Sequence, residues 1–414
     1  MGREPRVDVS DAIDDIDVPS FIRKSTDSPS EAQEERSTSL YWDSVREGPS
    51  GSRFEKLGVN SDVVTMTPNF MGPLTSVWSA KFPFEPVGLM LAGALAAKGE
   101  DGSEDSSPLV VLRSRGDGSV TLTGAVCDGV GGAGSSTVIL EEGSRRVERS
   151  QAFIASRLVR RVVAELALGG HSLEAQSLKP KLVKAFEDFK REYIREDPGA
   201  LRGSMVKTLP STLAYFQCLI DRSDRSGRLR LVTGWAGDSR IYVITPRSGL
   251  AQVTRDDVGP EDAFDQLRLD PPTTNVVNGS GPFDVHRLSV TVEAPCIVIA
   301  ATDGLFGYLP TPGSLELLVL DELNLSVDIA SFARSMCKRV EEIAADDVSF
   351  VIAMIGFGGR LVDAQRQFAV RHRLLKDRYG GRTPEDLFEM DDDERERLWR
   401  TESATYNQLL SGYR

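Results

Sequence analysis

The sequence predicts an α+β fold built on antiparallel sheets, and three observations carry that expectation. Short runs rich in branched residues, bounded by glycine, proline and aspartate, recur between Val120 and Phe357. Two of them, residues 229–235 and 240–245, follow one another at hairpin distance. That succession favours antiparallel pairing over alternating βαβ units. Longer segments with apolar residues at helical spacing lie between and after the runs.

Along the chain, residues 1–60 are rich in Ser, Asp, Glu and Arg and read as a mobile arm. Globular character begins near Leu74, and one domain is expected over residues 70–358. Its strands are expected at 120–127, 212–220, 229–235, 240–245, 285–292, 296–301 and 349–357. A first helix places Phe153, Leu158, Val162 and Leu166 on one face, and a second does so with Leu182, Phe186, Phe189 and Tyr193. Residues 135–149 read as an insertion, with helix from about Glu148 onward. A third helix is expected over 327–343, with Ser326 as its N-cap. After Gly358-Gly359 the composition shifts to a basic helical stretch, 361–379, broken by Gly380-Gly381. Thr383-Pro384 then reads as an N-cap with proline in the first turn, and 391–413 carries Leu398, Trp399, Tyr406, Leu409 and Leu410 near helical spacing. Residues 361–414 are thus an added C-terminal helical element, with docking on a partner and packing back on the domain both open.

Composition narrows the function. The 414 residues carry a formal net charge of −13, three histidines and four cysteines. The acidic balance argues against a nucleic-acid or anionic-membrane binder. Four scattered cysteines form neither a disulfide framework nor a zinc site. Three histidines leave little room for imidazole chemistry, so hard chemistry should lean on carboxylates. Residues 1–30 hold no apolar h-region, and the longest apolar stretch, 86–97, is too short to span a bilayer. A cytoplasmic protein is expected.

Aspartates stand at the ends of the apolar runs. Asp128-Gly129 closes 121–127, Asp238 follows 232–237, Asp303-Gly304 closes 296–302, and Asp346-Asp347 opens 348–355. A single Asp-Gly is a turn. Several carboxylates converging at strand mouths repel one another unless cations neutralise them. All-oxygen ligation suits Mg²⁺ or Mn²⁺ rather than zinc.

In order along the chain come Ser103-Glu104-Asp105-Ser106, Asp128-Gly129-Val130-Gly131-Gly132, Pro210-Ser211-Thr212, Gly237-Asp238-Ser239-Arg240-Ile241-Tyr242, Thr302-Asp303-Gly304-Leu305 and Asp346-Asp347-Val348-Ser349. This series resembles the bacterial metal-dependent protein serine/threonine phosphatases of the type 2C family, from about Gly88 to Phe357. The resemblance implies two stacked antiparallel sheets flanked by helices, a four-layer α-β-β-α sandwich. It implies two or three Mg²⁺ or Mn²⁺ ions. Asp128 would bridge two of them, the Gly129 carbonyl would hold the second, and Asp303 and Asp346 the first. Glu104 and Asp105 would support the cluster partly through water, and Asp238 would serve a third position. The implied reaction is hydrolysis of phosphoserine and phosphothreonine in proteins by a metal-bridging hydroxide. Partners are then phosphorylated proteins and, in signalling, a Ser/Thr kinase.

Two positions depart from that pattern. Glu100 stands where the family has a phosphate-gripping arginine, which leaves Lys98 as the substrate-binding cation without a bidentate fork. The turn 131–134 lacks the family's histidine, so water must act as the acid. These departures keep a second class open: a catalytically weak phosphatase-like regulatory or binding protein that retains metal sites. Gly129-Val130-Gly131-Gly132-Ala133-Gly134 also satisfies the dinucleotide pattern G-x-G-x-x-G, a weak match without the following βαβ context. His171 and His372 read as surface residues and His286 as structural.

Overall fold

A computed structural model describes residues 63–66, 75–82, 87–98, 103–115, 119–132, 134, 136–142, 145–171, 173–194, 207–221 and 226–412. The arm expected over 1–60 lies outside these described residues.

Two six-stranded sheets form the centre. One runs β1 (Val63–Met66), β4 (Leu109–Ser114), β5 (Val120–Val126), β8 (Leu213–Ile220), β9 (Arg228–Ala236) and β12 (His286–Glu293). The other runs β11 (Gly249–Gln252), β10 (Arg240–Thr245), β13 (Cys296–Ala301), β14 (Val348–Ile355), β3 (Leu89–Ala96) and β2 (Thr75–Phe82). Every neighbouring pair is antiparallel. A separate hairpin joins β6 (Thr137–Glu142) to β7 (Arg145–Ser150).

Alternation along the strands builds three apolar layers. On β14, Val351, Ala353 and Ile355 face the cluster between the sheets. Phe350, Ile352 and Met354 of the same strand face outward into a helix-covered cluster. Because both faces are buried, these strands read as continuous apolar runs although they pair antiparallel. Helices α1 (Gln151–Leu168) and α2 (Ala175–Tyr193) cover the first sheet. The second sheet is covered by α3 (Ala263–Leu269), the short α4 (Asp303–Phe306), α5 (Ser314–Leu325), α6 (Ile329–Ile343), α7 (Leu361–Arg378), α8 (Pro384–Phe388) and α9 (Asp392–Gly412). The result is the expected α+β sandwich of two stacked antiparallel sheets between helices.

Local chemistry corrects some expectations. Helix α6 is capped by Asp328, whose Oδ1 accepts from the Ser331 amide at 2.7 Å in a reciprocal capping box. Ser326 instead follows α5, its hydroxyl donating to the Glu322 carbonyl at 2.7 Å. Residues 148–150 are strand, not helix, because the Ser150 hydroxyl accepts from the Phe153 amide and so sets the start of α1. His372 is not a free surface residue: it is half-buried and pairs with Asp321. Thr383 and Asp386 form the expected cap around Pro384. In the C-terminal element, Phe368, Leu375, Trp399 and Tyr406 are buried in the same apolar cluster as the second sheet. No helix among the described residues is long and apolar enough to cross a membrane.

Candidate functional site

Strand register brings the acidic segments to one end of the sandwich. In the first sheet Val126 pairs with Ala214, and Leu213 with Ala236. In the second, Arg240 pairs with Ala301, Ala301 with Phe350, and Val348 with Ala96. The segments carrying Asp128, Asp238, Asp303 and Asp346 therefore emerge side by side, with Glu104-Asp105 on the connection from β3 to β4.

Short polar side chains stitch these segments together across the sheets. The Thr302 hydroxyl donates to Asp105 Oδ2 at 2.9 Å and accepts from the Ser349 amide at 2.9 Å. Ser349 Oγ donates to the Ser106 carbonyl at 3.2 Å. The Asp128 carbonyl accepts from the Thr212 amide and from Ser211 Oγ, both at 2.8 Å. Thr212 Oγ1 in turn meets Ser239 Oγ at 2.6 Å, which ties the Asp128 loop to the Asp238 turn. Gly129 is buried and bridges to Ser211.

Glu104 has a tailored seat. Its Oε1 accepts from Ser150 Oγ at 2.5 Å, and Oε2 lies only 2.1 Å from where a Cβ on Gly131 would stand. Gly131 thus leaves room for a carboxylate, whereas a Cβ on Gly132 would meet nothing within 4 Å and one on Gly134 would meet the Pro210 ring. Gly304 plays a parallel part, since a Cβ there would meet the Asp347 carbonyl at 2.0 Å.

The electrostatics are those of crowded anions. Burial first, then the neighbouring charges of Asp105 and Asp303, hold the Asp128 carboxyl well above the usual carboxylate range. Asp105 is raised likewise, by burial and by Asp347, although hydrogen bonds with Asp128 and Thr302 oppose the rise. Asp238 is raised by burial, Asp303 and Asp256. Asp303 is pushed up to about 7 by burial, Asp346 and Asp270. Glu104 and Asp346 are raised mainly by burial, with Asp347 adding to both. Loss of solvation dominates even though Asp128, Asp238 and Asp303 each keep some exposed surface.

Among known proteins the likenesses are to solved structures. PppA, a key regulatory component of T6SS in Pseudomonas aeruginosa, is 18% identical, covering 68% of this chain and 97% of its own, at a TM-score of 0.39. The Mycobacterium tuberculosis serine/threonine phosphatase PstP/Ppp is 15% identical over 68% of this chain and 98% of its own, at 0.39. RsbX in complex with magnesium is 14% identical over 67% of this chain and 100% of its own, at 0.39. No family model and no curated protein matches the chain. Likenesses this distant assign no role to any residue here.

Three features of the site were invisible in the sequence. Asp347 receives the amides of Lys98 and Glu104, both at 2.7 Å, and so fastens the early acidic pair to the start of β14. Arg157 of α1 donates to the carbonyls of Ser103 and Glu104 at 3.1 and 3.4 Å. Asp257 accepts from the Gly237 amide at 3.0 Å and from Asn275 Nδ2 at 2.6 Å, and meets His286 Nε2 at 2.8 Å, bracing the Asp238 turn. The expected substrate cation, Lys98, is exposed, and its ammonium donates to the Glu341 carbonyl at 2.5 Å. Among the described residues no group of three or more His, Cys, Asp or Glu forms a ready metal cage. The donor chemistry nevertheless fits hard cations: every side chain in the group is a carboxylate, raised first by burial and then by its acidic neighbours.

Proposed function

We propose that the chain is a metal-dependent protein serine/threonine phosphatase. The observation that carries this reading is the gathering of Glu104, Asp105, Asp128, Asp238, Asp303 and Asp346 at one end of the two sheets, where burial first and neighbouring carboxylates second raise their pKa values. Asp303 and Asp346 would hold one Mg²⁺ or Mn²⁺, Asp128 would lie between two ions, and the Gly129 carbonyl would face the second. Glu104 and Asp105 would receive water-borne hydrogen bonds, and Asp238 would hold a third ion.

When bound, such ions supply a hydroxide near neutral pH and neutralise charge on phosphoryl oxygens. The chain's own contribution is positional. Thr302 and Ser150 fix the Asp105 and Glu104 carboxylates, and the Thr212–Ser239 contact keeps the Asp128 and Asp238 segments in register. Lys98 would meet a substrate phosphate by exchanging the Glu341 carbonyl for it. The substrates are phosphoserine or phosphothreonine proteins, with the kinase that writes the mark as functional counterpart.

The test is hydrolysis of a phosphothreonine peptide with Mn²⁺ and with chelator. Turnover should appear with Mn²⁺ and vanish with chelator. Asp303→Ala and Asp346→Ala should each lower kcat at least about a hundredfold while the far-ultraviolet spectrum stays native-like. Wild-type turnover in either refutes the assignment. The second reading, a weakly catalytic binding protein that retains metal sites, is favoured by Glu100 standing where the resembled family has its phosphate-gripping arginine. Calorimetric Mn²⁺ binding without hydrolysis of any phosphopeptide would select it.

A further inference from the structure

We propose that helix α9 is a clamp on the carboxylate end of the second sheet, and that Tyr406 is a positioning residue for the Asp238 turn. The consequence for cation binding and turnover rests on the phosphatase reading, whereas the coupling of helix to turn stands on contacts alone.

A buried relay leads from the helix to the turn. The Tyr406 hydroxyl donates to Gln252 Oε1 at 2.7 Å. Gln252 Nε2 donates to Asp256 Oδ1 at 2.9 Å. Asp256 accepts from Arg240 Nη2 and Nε, at 2.6 and 2.9 Å to Oδ2. Arg240, two residues beyond Asp238, is 2% exposed, and Tyr406 is 4% exposed. Arg240 Nη1 also donates to Tyr242 Oη at 2.9 Å, and its Nη2 to Gln266 Oε1 at 3.2 Å.

The same helix grips the surrounding loops twice more. Trp399 Nε1 donates to Asp262 Oδ1 at 3.1 Å, and that carboxylate caps α3, the helix that carries Gln266. Arg395 Nε donates to the Pro310 carbonyl at 3.0 Å, on the loop that follows Asp303 and α4. A helix that only covered apolar surface would need none of these polar reaches. With three of them aimed at the segments after Asp238 and Asp303, the helix sets where those carboxylates stand. Removing one polar partner from a buried relay leaves the next group unsatisfied and loosens everything it held.

The experiment compares full-length wild type with Tyr406→Phe, which keeps the ring and deletes one hydroxyl. Hydrogen exchange is read at the amides of Gly237, Ile241 and Asp257, which bond to Asp257 Oδ2, Thr254 Oγ1 and the Gly237 carbonyl. Exchange there should quicken about tenfold, with β5 and α1 amides unchanged, and half-saturating Mn²⁺ in calorimetry should rise about as much. Unchanged exchange at the turn, or uniform quickening across the protein, overturns the clamp. Trp399→Phe, which deletes the indole N–H donor at the second contact together with part of the buried ring, should give the same local pattern and decides the matter if Tyr406→Phe does not fold. A wild type that neither binds Mn²⁺ nor hydrolyses phosphopeptide defeats the phosphatase reading, and the exchange pattern still judges the clamp.

Discussion

Two glycines near the site face different neighbours, and the difference predicts opposite outcomes. A methyl at Gly131 would stand 2.1 Å from the tip of Glu104, a flexible carboxylate. Gly131→Ala should therefore fold normally, with stability changed by less than about 1 kcal/mol, and should raise half-saturating Mn²⁺ several-fold as Glu104 is pushed aside. A methyl at Gly304 would stand 2.0 Å from the Asp347 backbone carbonyl, which cannot swing away. Gly304→Ala should cost about 1–3 kcal/mol of stability, read by denaturant titration. At this scale the sequence was partly legible. Aspartates at the ends of apolar runs announced Asp128, Asp238, Asp303 and Asp346. The roles of Asp347, Arg157 and Asp257 were hidden, because each acts on backbone or side chains from a distant segment that spacing alone does not bring near.

At the level of elements, legibility followed burial pattern. Strand β13 was read with its observed bounds, and β10 likewise, since Gly, Pro and Asp bracket them. Helix α5 escaped notice because Leu315, Leu317, Leu318, Val319, Leu320 and Leu323 are all buried, leaving no polar face to give a helical period. Polar ties hold that apolar helix to α7: Arg371 pairs with Glu316 through two bonds of 2.7 Å, and Asp321 accepts from Lys376 at 2.7 Å and pairs with His372. Burial works to raise the Asp321 carboxyl, but hydrogen bonds and charge from His372 and Lys376 outweigh it and hold it below its ordinary value of 3.8. A depressed folded-state pKa gives stability that is present above the unfolded value and lost as pH falls through the folded one. Acidification should thus loosen the contact between α5 and α7 from roughly pH 4 downward. Asp321→Asn should be less stable near neutrality and flatten that acid limb in a pH series of melting curves. An unchanged limb would show that the pair adds nothing to the acid response.

The whole molecule gathers like charges at one end of its two stacked sheets. Six acidic residues come from segments of both sheets, so their repulsion opposes the docking of one sheet on the other, while the apolar layer between the sheets favours it. A cation that binds this cluster only in the folded state reverses the first term and adds a stabilisation that grows with the logarithm of its concentration. At about a hundred times its Kd, Mn²⁺ should add about 2.7 kcal/mol and raise the melting temperature, and chelator should return it. Asp303 separates the two contributions. Its carboxyl is buried and crowded by Asp346 and Asp270, so Asp303→Asn relieves repulsion in metal-free protein while removing a proposed cation ligand. The variant should melt higher than wild type in chelator, lower than wild type in saturating Mn²⁺, and show little response between the two. Equal Mn²⁺ responses in variant and wild type would mean that the acidic end is held by the sandwich alone, and that cations bind elsewhere.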